Sequence, residues 1–239
     1  MRTLIFFFAF VFSNHVYAHG CDQEPFQTVK EKLFHGKELN ENLSSCILLS
    51  DGSHTGIASF AFQKPEVNYV TSYDVELVIL NVESKKVKAR LSLKNTWQSD
   101  AYKINYVEIM NRTYPVKYGS VVFGLTEGWG GSSSVSFYDI KKLSLYEQRG
   151  NNIVPILTDL VTHIYQGEGC DVETTRKIKI KPQRINTYVP IYIKERRVGI
   201  TREEAVCTPA APRVNFYVLR SRDGKYKVPD PLSPFGDAQ

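Results

Sequence analysis

Beyond residue 55 the chain alternates apolar and polar residues with a period of two, in short runs that turn residues interrupt about every ten positions. The run Val87, Ala89, Leu91 and Leu93 points one way while Lys88, Arg90, Ser92 and Lys94 point the other, which is the signature of a half-buried strand. Its predecessor, Val75 to Val82, is apolar on both faces from Leu77, and Glu83-Ser84-Lys85-Lys86 connects the two as a hairpin. Comparable runs occur at Ile104 to Ile109, Tyr114 to Tyr118, Val121 to Leu125, Val135 to Tyr138, Leu143 to Tyr146, Ile153 to Leu157 and Val161 to Tyr165. They continue at Lys177 to Lys181, Tyr188 to Ile193 and Val214 to Leu219. Asp223-Gly224 is a two-residue hairpin signal that turns the chain back through Tyr226 to Val228. About a dozen short strands predict an all-β fold, mainly antiparallel and sandwich or barrel-like, with a single sandwich-like domain preferred. A small propeller is disfavoured, because no full-blade repeat recurs.

The N-terminus departs from this pattern. Arg2, the apolar stretch Leu4 to Phe12 and Val16-Tyr17-Ala18 read as the three regions of a secretory signal peptide over residues 1–18. Nine apolar residues are too few to span a bilayer, which needs about 20 in a helix. A lipid anchor at Cys21 is the competing expectation, but His19 before Gly20 fits a lipobox poorly. Pro25 followed by Phe26, Val29 and Leu33 predicts one short helix, Phe26 to His35, ended by Gly36. The expected organisation is a single disulfide-stabilised β-domain over residues 19–228 and a proline-rich, disordered tail over 229–239. A further helical turn is expected at Thr201 to Val206, where Thr201 and Glu204 have capping-box spacing.

All four cysteines lie in the exported part, where disulfides persist. Pairing Cys21 with Cys46 and Cys170 with Cys207 closes the shortest loops. Zinc is not expected, since Cys-x-x-Cys is absent and His163 before Cys170 lacks partners at ligand spacing. Without Arg2 the chain holds 29 Lys and Arg against 25 Asp and Glu, a net charge of +4, distributed as −2 over residues 19–170 and +6 over 171–239. With no nucleic-acid motif and so moderate a charge, nucleic acid is not an expected partner.

Motifs for catalysis are missing. Gly-x-Ser-x-Gly and the phosphate-binding glycine loops do not occur, and the four histidines beyond residue 18, His19, His35, His54 and His163, form no His-x-x-x-His among themselves. Asp51-Gly52-Ser53-His54-Thr55-Gly56 brings a Ser, a His and an Asp together, but adjacent side chains point apart and cannot form a relay, so a polar turn is expected. His163 is expected to be a hydrogen-bonded structural residue. Glu203-Glu204, Asp74 and Glu76 carry no catalytic assignment without a known separation. No cofactor is expected.

Two constellations stand out as binding candidates. Trp129 sits in Glu127-Gly128-Trp129-Gly130-Gly131-Ser132-Ser133-Ser134, a large aromatic among residues without bulk. On a flexible loop, with Tyr118 and Tyr138 on adjoining strands, it would be a stacking platform for a sugar or a protein anchor; its structural alternative is a hairpin loop folded over a sheet edge. In Arg176-Lys177-Ile178-Lys179-Ile180-Lys181, three lysines, Lys177, Lys179 and Lys181, share one face of a strand. They suit an acidic surface, or protect an exposed sheet edge. The leading expectation is therefore an exported, non-enzymatic binding protein of inhibitor or immunity type, acting on a macromolecular partner in the periplasm or outside the cell. That partner is another protein or an envelope glycan. The alternatives are a glycan-binding module built on Trp129, and a hydrolase whose residues converge only in three dimensions.

Overall fold

The computed structural model describes residues 20–99, 102–131, 137–167, 171–203 and 206–233. The expected signal peptide, the Cys170–Cys207 bridge by virtue of Cys170, and the tail from residue 234 lie outside the described residues.

The chain folds as all-β with one short helix. Helix α1, Glu24–Phe34, starts with Pro25 in its first turn and is followed by Gly36 at φ 74°. Strands β1 (Ser45–Leu48), β2 (Thr55–Gln63), β3 (Thr71–Asn81), β4 (Lys86–Ser99), β5 (Tyr102–Thr113), β6 (Val122–Gly131), β7 (Phe137–Arg149) and β8 (Asn152–Gly167) form a sheet in the order β1-β2-β3-β4-β8-β7-β6-β5. Neighbours pair antiparallel except β4 and β8, which meet in parallel at the single pair Arg90–Asn152. β5 then returns against β1, where the Ile109 N–H donates to the Ser45 hydroxyl at 2.9 Å, so the sheet nearly closes into a barrel. Register shifts in the β3–β4, β5–β6 and β7–β8 pairs supply the local bending that closure requires.

Alternation along the strands sorts residues into the barrel interior and its outer wall. Ile57, Val75, Leu77, Ile79, Phe123, Leu125 and Tyr146 fill the inside. On the outer wall Ala58, Phe60, Val78 and Leu80 lie beneath Phe26, Val29 and Phe34 of α1. Burial from both sides is why β3 is apolar on both faces. A disulfide between Cys21 and Cys46 fastens the start of the helix to β1. The loop it closes, 25 residues in sequence separation, gives about 3 to 4 kcal/mol on the chain-entropy estimate.

The remaining strands form an arm. β9 (Asp171–Ile180) pairs with the end of β8 through residues 171–175 and along its length with β10 (Ile191–Glu203). Beyond β10 lie β11 (Val206–Pro209) and β12 (Arg213–Leu219), both antiparallel to it. The arm folds over the outer wall of β6, β7 and β8, and a second core forms between them from Val122, Leu143, Leu160, Ile191, Ile193 and Leu219. A two-stranded ribbon, β13 (Ser221–Arg222) and β14 (Lys225–Tyr226), turns at Gly224 with φ 75° and buries Tyr226 in the same core. The sandwich-like layering expected from the sequence is thus confined to the arm, and the rest is barrel-like.

Three local expectations are corrected. Thr201 to Val206 is not a helical turn: β10 runs through Glu203 and returns in β11, pairing Thr201 with Thr208 and Glu203 with Val206. Residues 114–118 are a loop instead of a strand, whose Tyr114 and Val116 are buried in the second core. The tail begins with an ordered 3-10 turn, Asp230–Leu232, because Leu232 is fully buried and the Pro231 carbonyl accepts a 2.8 Å hydrogen bond from Arg176.

Candidate binding surface

Arg176 decides how the arm presents itself. It is the first residue of the cationic run, yet it lies on the face that Ile178 and Ile180 share, turned toward the barrel and buried. Its Nε donates to Glu195 Oε2 at 2.8 Å, and its Nη1 and Nη2 donate to the carbonyls of Val161 and Pro231. Glu195 Oε1 accepts from Asn215 Nδ2 at 2.8 Å and from the Tyr217 hydroxyl at 3.4 Å. Burial opposes ionisation of Glu195, but the hydrogen bonds from Asn215 and Arg176 outweigh it and hold the carboxyl below the ordinary range. These bonds, together with Leu219 buried in the second core, put the Asn215, Tyr217 and Leu219 side of β12 toward the barrel, with Asn215 itself still exposed. The alternate residues Val214, Phe216 and Val218 are consequently turned to solvent.

The outer face of the arm is therefore built from cross-strand rows. Thr175, Arg196 and Val214 form one; Lys177, Lys194 and Phe216 the next; Lys179, Tyr192 and Val218 the third, with Lys181 beyond. Phe216 is 74% exposed, Val218 47% and Val214 44%. Lys194 Nζ lies 5.9 Å from the Phe216 ring centroid and Lys181 Nζ 5.7 Å from that of Tyr192. These rows contain no acidic side chain. Glu173, on the same face of β9, pairs with His163 at 3.7 Å. A groove of about 310 Å³ adjoins Lys179, between Arg112–Pro115 and Ile178–Ile180, and adds Arg112 to the cations on this side.

Lys177, Lys179 and Lys181 lie together on one face of β9, on the half that extends past its pairing with β8 and has β10 on one side alone, so they also stand along an open sheet edge. β9 has β10 along one side and β8 along the first half of the other. Among the described residues β12 pairs with β10 alone, which makes it the edge strand on the other side of the arm. The sequence offered one signal for this surface. Both alternating sets of Val214 to Leu219 are largely apolar, so one of them had to be exposed wherever β12 lay at an edge.

The aromatic trio is divided. Trp129 stands on β6, opposite Ile104 and Ile140, and not on a loop. Its indole N–H donates to Glu127 Oε2 at 3.1 Å, Lys142 Nζ lies 4.9 Å from its ring centroid, and it packs against Ile140, Val161 and Ile164. Tyr138 belongs to that same cluster and meets Tyr102 edge-on at 5.6 Å. Tyr118 is exposed in the turn before β6, at the other end of the strand from Trp129, about 20 Å away at the usual rise per residue. The glycines beside Trp129 are a packing device: a Cβ on Gly128 would lie 2.1 Å from the Tyr106 ring. Glu127 is almost wholly buried, and burial raises its carboxyl above the ordinary range although Trp129 hydrogen-bonds to it. The buried Trp97 N–H, without a hydrogen-bond partner of its own, faces the same carboxyl at longer range.

The residues singled out for catalysis lie apart. Ser53 N–H caps the Asp51 carboxylate at 2.9 Å in a tight turn, and His54 Nδ1 faces Glu83 across the neighbouring hairpin at 3.1 Å. His163 faces Glu173 only as far as ion pairs extend. Asp74 and Glu76 bind Lys94 and Arg90 on the outer wall of β3 and β4. Among the described residues no group of His, Cys, Asp and Glu is placed to hold a metal ion, and no helix is long and apolar enough to cross a membrane. Comparison with protein-family models, with curated proteins and with solved structures returns no match.

Proposed function

We propose that this chain is an exported binding protein that docks an acidic protein partner on the outer face of its β9–β10–β12 arm. The observation that carries the reading is Phe216, 74% exposed on an edge strand and bordered by Lys177, Lys194 and Arg196 with no acidic residue in their rows. Large aromatics surrounded by cations are the composition of interface anchors, and most of the Phe216 ring is left uncovered by the chain itself. Charge of one sign on a flat face steers an acidic partner and excludes basic ones. Export follows from the N-terminal pattern Arg2, Leu4 to Phe12, Val16-Tyr17-Ala18, and the Cys21–Cys46 disulfide accords with an oxidising compartment.

The test uses the mature protein immobilised against its native envelope fraction, beside Phe216→Ser, the triple change of Lys177, Lys179 and Lys181 to Gln, and Tyr69→Ser as a control far along the chain in the exposed β2–β3 turn. The reading predicts a protein that wild type and Tyr69→Ser retain equally, that both face variants lose, and that moderate salt elutes. Equal retention by all four forms would overturn it.

A further inference from the structure

We infer that the partner binds by strand addition, an extended segment with acidic and apolar residues in alternation pairing along the free edge of β12. This rests on the docking role assigned to the outer face and adds the mode of binding and the kind of segment. Among the described residues β12 spends its backbone hydrogen bonds on β10 alone, leaving one N–H and C=O row open along Arg213–Leu219. An added strand places alternate side chains about 5 Å from Val214, Phe216 and Val218, where apolar residues gain cross-strand contact.

Electrostatics selects the occupant. Arg213 and Arg220 bracket the strand, and Lys194 and Arg196 stand one strand further in, all exposed. With apolar residues set against Val214, Phe216 and Val218, the interleaved glutamate or aspartate falls on the opposite side of the strand, where it meets Arg213 and, one strand further in, Arg197 rather than Lys194 and Arg196. A second copy of the chain would instead set this cationic edge against itself, which like-charge repulsion disfavours. The edge is also finite and held in place. Pro209 and Pro212 interrupt it before Arg213, since proline cannot donate to a ladder, and Asn215 and Tyr217 anchor β12 to the buried Glu195. A segment of about seven residues therefore finds a template that is ordered in advance.

The probe is an acetylated, amidated octapeptide of alternating Val and Glu, with alternating Val and Lys as its counterpart, added to the intact mature protein. Binding is followed by fluorescence anisotropy and by hydrogen exchange at the β12 amides. The expected results are at least about tenfold tighter binding of the Val/Glu peptide, loss of that preference in high salt, slowed exchange at β12 amides in the complex, and about tenfold weaker binding to Phe216→Ser. Val/Glu binding that depends on Lys177, Lys179 and Lys181 but leaves β12 exchange unchanged would overturn strand addition while preserving the docking face. Absence of binding in every form would overturn strand addition as well, and if envelope retention also proved independent of the face, the docking role would fall separately. A Phe216-dependent dimer in sedimentation, with neither peptide bound, would reassign the edge to a second copy and contradict the inference.

Discussion

Arg176 and Glu195 face each other across β9 and β10 at 2.8 Å, both buried, and with Leu219 in the second core their network of hydrogen bonds fixes which side of β12 meets solvent. The guanidinium reaches Val161 on β8 and Pro231 in the C-terminal turn, while the carboxylate gathers Asn215 and Tyr217 from β12. One ion pair thus connects the barrel wall, the arm and the chain end.

Removing one partner strands the other charge in the core, so Arg176→Leu and Glu195→Leu should each lower stability by about 3 to 5 kcal/mol. The double change should cost less than the two added together, since it leaves no buried charge. Chemical denaturation of the four forms measures this directly; simple additivity would mean that the pair does not act as a unit.

The same carboxylate sets a pH dependence. Glu195 is held below its ordinary value in the folded state, so its contribution is present above the unfolded glutamate value of about 4.3 and is lost as pH falls through the lower folded value. Hydrogen exchange at β10 and β12 should rise in that acid range before the barrel strands β2 and β3 open, and Glu195→Gln should remove the pH sensitivity of the arm.

Glu127 has the opposite sign. Burial raises its folded-state value, so the penalty of ionising it appears as pH rises above the unfolded value and persists at neutrality. Glu127→Gln keeps an acceptor for the Trp129 N–H and should raise the melting temperature at pH 7 to 8, with the gain vanishing below about pH 4. An equal or lower melting temperature at neutral pH would show that the carboxylate is stabilised where it stands.

Trp129 sits in the packed end of the barrel between Lys142 and the cluster of Ile140, Val161 and Ile164. Trp129→Ala should cost about 3 kcal/mol of stability while leaving envelope retention unchanged. Retention lost together with unchanged stability would make Trp129 a contact residue after all.

Much of this architecture is legible in the sequence because burial on one face imposes a period of two. The β3–β4 hairpin, helix α1 and the Cys21–Cys46 pairing all follow from local pattern and short loop closure. The docking face is legible only in part. Lys177, Lys179 and Lys181 alternate visibly, but Val214, Phe216 and Val218 read as core residues, and what turns them outward is the burial of Leu219 in the second core together with the hydrogen bonds of Asn215 and Tyr217 to Glu195. Trp129 misleads for a related reason. Flanking glycines suggest a loop, whereas Gly128 is a strand residue emptied of side chain to admit the Tyr106 ring. Contacts between strands far apart in sequence settle both cases, and no local pattern encodes them.

The central claim is that the outer face of β12 is where a partner sits, and position-specific photo-crosslinking tests it most directly. With a benzoyl-phenylalanine in place of Phe216, irradiation of intact cells exporting the protein should join it to one acidic protein, and the same group at Tyr69, 92% exposed, should not. An adduct formed equally from both positions, or none from position 216, would contradict the account.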